Sequence, residues 1–298
     1  MNDYILSCCS TVDITEKQLK ALDIQCLAFR FILDGKTYID DFGQSISYSA
    51  FYDAMAKGAA TATSQINVSE YIDYFEPFLK AGKDILHVAF SGGLTGTVNS
   101  ARNAAAILAE TYPERTIRIV DSLAASVGYG LLMVKAARLR SSGMGCEELF
   151  CWLEENKRKV QQWFFSSTLK YYVRGGRISA AVGAFGSALD ICPMMIVDEF
   201  GKIPVKEKVR TKKKTVARML QRMHENAENG TDYAGDCYIC HSAALEDAQL
   251  LAAQVEREFP KLSGKVEIYN MGTVIGSHAG PGTVGLGYWG KERGGTEK

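Results

Sequence analysis

Four short segments of this chain hold the side chains most able to do chemistry. The first is Tyr171-Tyr172-Val173-Arg174-Gly175-Gly176-Arg177-Ile178-Ser179. Adjacent glycines allow a tight turn or a close approach, and a flanking arginine can grip an anion through paired N–H donors. Gly-Gly between charged residues is equally a common solvated turn. The second segment, Ser91-Gly92-Gly93-Leu94-Thr95-Gly96-Thr97, offers hydroxyls and backbone N–H groups where a helix begins. That is an anion site by geometry and dipole, or a plain capped turn. It is no Walker A loop, because no Gly-Lys-Ser/Thr follows. The third, Thr61-Ala62-Thr63-Ser64-Gln65, groups hydroxyls ahead of a helix, which capping alone explains. The fourth runs from Thr273 to Gly282 and sets His278 beside Ser277 among glycines. A histidine there can donate to a carboxylate or act as a base. No G-x-S-x-G elbow or Ser/His/Asp order accompanies it, which favours ligand binding.

Composition narrows the classes. With 298 residues, two domains are expected. Lys and Arg number 34 and so do Asp and Glu, so no global field recruits nucleic acid. The one biased stretch, Lys206 to Arg222, includes Arg210, Lys212, Lys213 and Lys214 against the single acid Glu207. Such runs are usually solvated faces; the sharper reading is a docking surface for an acidic partner or for membrane headgroups. The opening Met-Asn-Asp carries acid where a secretory signal needs positive charge, and no apolar run is long enough to span a membrane. A cytoplasmic location is expected, with eight reduced cysteines acting mainly as core filler. Cys237-Tyr238-Ile239-Cys240-His241 matches the haem-attachment spacing. It lies in a β-prone run, where residues three apart face opposite sides, so a structural strand is expected. No second cysteine pair stands at metal-ligand spacing, and no metal site is expected.

The elements that must position these residues alternate. Strands are expected at Tyr4–Cys8, Ile24–Phe29, Asp84–Phe90 and Ile117–Asp121, with helices near 15–19, 49–57, 69–81, 98–108 and 127–141. This strand–loop–helix order predicts an α/β fold with a parallel, Rossmann-like N-terminal sheet, and ligands at the carboxyl ends of its strands. A helix over 146–161 follows. Beyond it, Phe164–Thr168, a hairpin over 196–205 turning at Phe200-Gly201, Asp236–His241 and Val266–Asn270 read as strands. Helices over 215–227 and 245–259 complete a smaller α/β domain with a mixed or antiparallel sheet. The expected domains are 1–163 and 164–298, with a frayed tail from Gly290.

Taken in this order, the segments resemble the DegV family of fatty-acid-binding proteins. The resemblance rests on Ser10-Thr11, Thr63-Ser64-Gln65, the Ser91 loop, Asp121-Ser122, Tyr171 to Ser179, Pro193, Lys202, Lys208-Val209-Arg210, His241 and Gly276 to Gly282. It implies two α/β domains with a long-chain fatty acid between them, and no cofactor. The carboxylate would be held by Thr63, Ser64, Ser91, Gly92, Arg177 and His278, with Ser10 and Arg174 as additional candidates. It further implies a carrier that is not itself a catalyst and that presents the acid to a bacterial fatty acid kinase subunit. Arg210, Lys212 and Lys213 would dock that partner. Two departures stand out. Cys9 replaces the family's Asp after the first strand, and Gly92 replaces a serine whose hydroxyl its N–H or a water would have to replace. The competing reading is an enzyme, a phosphotransferase or hydrolase using the Ser91 loop and His278.

Overall fold

A computed structural model describes residues 4–181 and 191–295. Near-continuous apolar runs place their strands in sheet centres, where both faces are covered. Tyr4–Cys9 (β1) and Asp84–Ala89 (β6) are buried almost throughout and pair in parallel. Gln25–Leu27 (β2) and Ile117–Asp121 (β7) flank them, giving the parallel order β2-β1-β6-β7. Arg30–Leu33 (β3), Lys36–Ile39 (β4) and Thr61–Ser64 (β5) form a small antiparallel sheet, β4-β3-β5. The Thr61 segment is therefore an edge strand, not a helix cap. Asn67 makes the capping box of the following helix instead, α3 (Val68–Lys80), after α1 (Glu16–Ala21) and α2 (Tyr48–Ala56).

The second half builds a six-stranded sheet in the order β10-β9-β8-β13-β11-β12. Its strands are Val160–Ser166 (β8), Ile191–Ile196 (β9), Val205–Arg210 (β10), Cys237–Ser242 (β11), Glu267–Asn270 (β12) and Thr283–Trp289 (β13). All pairs are antiparallel except β11 with β12. The α/β class with one parallel and one mixed sheet is thus as expected. Several boundaries differ. The helix expected over 146–161 stops at Asn156 (α6, Cys146–Asn156), because Val160 and the residues after it enter β8. The hairpin turn falls at Asp198–Lys202 as expected, but its strands lie outside 196–205. The Gly-rich β13 and the helix Thr273–Ala279 went unread, since glycines mask both periodicities. Cys237 and Cys240 are buried, free thiols of β11.

Ser126–Ser141 (α5) has apolar or small residues on every side and is buried along most of its length. It lies between the two sheets. A Cβ on Gly130 would sit 2.7 Å from Ile14 on one side. A Cβ on Gly128 would meet the Gln162 side chain at 2.1 Å on the other, and Gly287 of β13 approaches the Gly128 nitrogen. A polar fastening adds to this packing. Asp13 accepts hydrogen bonds from the Ser126 hydroxyl at 2.5 Å and the Gly272 N–H at 2.9 Å, joining the turn after β1 to α5 and to the second half of the chain. Burial pushes its carboxyl up to about 8.

Residues through Gly295 are also held, contrary to the frayed tail expected from Gly290. Arg293 is 6% exposed and donates to the carbonyls of Leu123, Lys157, Arg158, Val197 and Asp198. Each bond satisfies a carbonyl in an otherwise irregular junction, and burial pushes the guanidinium down to about 10. Arg293→Ala is expected to lower the unfolding free energy by about 2–4 kcal/mol, because charged hydrogen bonds are lost together with buried packing. Urea denaturation measures it, and a change under ~0.5 kcal/mol would contradict the clamp.

Candidate functional site

A cavity of about 920 Å³ opens between the two sheets. Its size suits a drug-sized or acyl ligand. Much of its wall is apolar, from Phe29, Phe90, Val127, Phe164, Met271 and Val274. Among the described residues that line it none is acidic, while Arg174, Arg177 and Lys202 are cationic. The cavity thus presents an apolar surface together with positive charge.

The polar end is assembled from three elements. The edge strand β5 alternates, so Thr61 and Thr63 share one face. Helix α7 (Lys170–Arg174) runs into Gly175 and Gly176 and delivers both arginines. The short helix α10 (Thr273–Ala279) carries His278 in its last turn; α8 (Lys212–Asn226) and α9 (Leu245–Glu258) lie on the far face of the sheet. The Thr63 hydroxyl and His278 Nε2 stand 2.7 Å apart. Arg174 donates to the Thr61 hydroxyl at 2.6 Å. Arg177 donates to the Gly175 carbonyl at 2.5 Å and the Leu94 carbonyl at 3.2 Å, tying α7 to the loop after β6. The two glycines are needed for different reasons. Gly176 has φ of +70°, which favours glycine. Gly175 has an ordinary φ, but a Cβ there would lie 2.2 Å from His278 Nδ1.

Burial, and then the charges of Arg177 and Arg174, push His278 down to about 4, so its imidazole is neutral at pH 7. Its Nδ1 is buried without a hydrogen-bond partner among the described residues. A neutral ring can donate one hydrogen bond without adding charge.

Thr63, Ser64, Arg174, Arg177 and His278 all line the cavity. Ser91, Gly92 and Ser10 do not. The Ser91 hydroxyl is fully buried, donates to the Gly201 carbonyl at 2.8 Å and accepts from the Gly93 N–H. It fastens the β9–β10 turn rather than facing the cavity. The Gly92 N–H donates to Asp121 at 3.0 Å, so it is not available to replace the missing serine hydroxyl. A side chain there would meet that carboxylate, with a Cβ 2.5 Å from Asp121 Oδ2. Ser10 donates to Asp40 and accepts from the Phe29 N–H. Cys9 is buried against Tyr71 and His87, its thiol pushed up to about 11 by burial. Arg210, Lys212 and Lys213 are exposed at the end of β10 and the start of α8, away from the cavity, and Lys212 pairs with Asp247. Sequence reading missed Gln162, Ser126 and Cys240 in the wall, and β8, with two adjacent glutamines and burial almost throughout, has no alternation that would have marked Gln162. Among the described residues no three His, Cys, Asp or Glu side chains are grouped to hold a metal ion, and no helix is long and apolar enough to cross a membrane.

The two sheets thus close on a cavity whose wall is largely apolar and which carries arginines at its polar end. The family model described as "Uncharacterised protein, DegV family" matches residues 9–291, and the chain belongs to the DegV family. It is 35% identical to a DegV domain-containing protein of Clostridium perfringens, over 97% of this chain and 98% of that one. A fatty-acid-binding DegV family protein of Thermus thermophilus superposes with a TM-score of 0.85 at 25% identity, covering 97% of this chain and all of that one. The fatty acid kinase (Fak) B3 protein of Streptococcus pneumoniae, solved with linoleic acid, shares the fold with a TM-score of 0.82 at 21% identity over 98% of this chain and all of that one.

Gly175→Ala is expected to displace His278, costing about 1–3 kcal/mol of stability as an overpacked site does; thermal unfolding reads it, and an unchanged transition would contradict the contact. The pH dependence of His278 has a definite sign. Its folded value of about 4 lies below the ordinary 6.5, so on acidification the unfolded chain takes the proton first. His278 therefore withdraws stability as pH falls from about 6.5 to about 4, and contributes no change above. Its ring resonances, assigned by comparison with His278→Gln, should not titrate between pH 8 and 5; a midpoint near 6.5 would contradict the burial.

Proposed function

We propose that this protein binds a long-chain fatty acid without acting on it chemically. The observation that carries this reading is the wall of the cavity, apolar along most of its length and cationic at the other end, with no acidic side chain among the described residues that line it. An acyl chain gains about 0.8 kcal/mol per buried methylene, so ~15 of them supply roughly 12 kcal/mol before the cost of ordering. Affinity comes from the tail. The polar end orients the head, since a buried carboxylate needs hydrogen bonds and a cation. In this reading Thr63 and His278 donate to the carboxylate, Arg177 and Arg174 neutralise it, and Ser64 lies at the edge of the site.

The non-catalytic reading draws support from His278. The Thr63–His278 pair has the separation of a nucleophile and base, yet Nδ1 has no carboxylate to orient it. The low basicity of the ring also weakens it as a base near pH 7. We further propose that a fatty acid kinase subunit receives the carboxylate and phosphorylates it. The docking surface would be Arg210, Lys212 and Lys213, where three lysines from Lys212 onward begin α8. Cations at a helix N-terminus oppose the dipole, so an acidic partner gains from both.

Protein purified from a bacterial host is expected to release a long-chain fatty acid on denaturation, detected by mass spectrometry. Thr63→Val and His278→Ala should each weaken binding of added palmitate or oleate about tenfold, the size of one lost charged hydrogen bond. Absence of any bound or bindable fatty acid would reject the reading. Turnover of ATP and fatty acid by the isolated protein would favour the enzyme instead.

A further inference from the structure

The cavity wall is not uniformly apolar away from the head-binding end. Gln162 on β8 lines it and is only 5% exposed. Its Oε1 accepts the Ala125 N–H at 3.0 Å, which fixes the amide, while its Nε2 is buried with no acceptor among the described residues. A buried donor left unpaired costs about 1–3 kcal/mol, so the site calls for an oxygen. The same patch contains the start of α5. Ala125, Ser126 and Val127 line the cavity, and Ala125 supplies no side-chain cap to the sixteen-residue helix. The positive end of its dipole thus lies on the same wall. Cys240 lies alongside, its thiol against Ser126 and Val127 and crowding Gly285.

This patch is separate from the residues that meet the carboxylate. Along β8, Gln162 lies four residues before Ser166, about 13 Å at the rise of a strand. Ser166 pairs with Thr283, whose hydroxyl reaches the carbonyl of Ala279, next to His278. A ligand anchored at Thr63 and His278 and extended along β8 would bring the middle of its chain to Gln162.

We propose that the ligand is a long-chain fatty acid bearing an oxygen along its chain, a hydroxyl or oxo group, and that Gln162 Nε2 donates to it at the N-terminus of α5. This rests on the fatty-acid reading and names the ligand class within it. An unsubstituted methylene at that position leaves the donor unpaired; an oxygen satisfies it and is itself desolvated without loss.

Binding of stearate, mid-chain hydroxystearates and mid-chain oxostearates to delipidated protein, measured by calorimetry, tests the proposal. The protein should bind at least one oxygenated positional isomer about tenfold more tightly than stearate. Gln162→Glu keeps the acceptor for Ala125 but loses the donor, and Gln162→Met removes both. Each should bring the preference close to one while stearate still binds, and circular dichroism verifies that both variants are folded. If the hydroxy form is preferred over stearate and the oxo form is not, the oxygen acts as a donor, and the assigned role of Nε2 is overturned. Equal binding of all three acids, or a preference that survives both substitutions, overturns the proposal while leaving the fatty-acid reading intact. Failure of stearate and every oxygenated acid to bind rejects the fatty-acid reading itself.

Discussion

Everything in this molecule depends on one helix shared by two sheets. Helix α5 is buried along most of its length and exposes only a short strip near its C-terminal end, at Lys135, Arg138 and Ser141, so the rest of its surface must be covered. Gly130 lets it close on Val12 and Ile14, and Gly128 with Gly287 lets it close on β8 and β13. Close approach increases dispersion contact and excludes water. Among the described residues, the buried apolar side chains of both halves merge into one core across α5, and the far side of the second sheet, under α8 and α9, has a second core. The cavity is the space left where this packing stops, at the N-terminus of α5.

Charge is distributed around that space in a consistent way. Buried carboxylates, Asp13 and Asp40, stay out of the cavity wall and are fully engaged by hydroxyls and backbone N–H groups near the start of α10. The cations face the cavity, and His278 is kept neutral by burial beside them. Among the described residues the signs are thereby separated, with positive charge at the polar end of the cavity and negative charge outside its wall. The Arg177 bridge to Leu94 and the Ser91 bond to Gly201 tie this end to both units, so its geometry is set by the same contact that closes the fold.

Much of this was legible in the residues. The parallel sheet followed from its apolar runs, and the segments that resemble the DegV family include Thr63, Arg177 and His278, which the fold brings to the cavity wall. Ser91 shows the limit. Its loop has the composition of an anion site, yet its hydroxyl is taken by a turn over a hundred residues away. Gly92 is likewise explained by Asp121 and not by a ligand. Neither partner is a sequence neighbour, so local spacing could not announce it.

By itself, the sequence determined the periodicities, the glycine turns and the charge balance, because these act between residues close along the chain. Only tertiary structure decided which hydroxyls face the cavity, that His278 is neutral, and that Gly175 is small for the sake of an imidazole rather than for a turn. Desolvation and close packing belong to a position in space, and the groups that impose them here come from β5, α7 and α10, elements about a hundred residues apart.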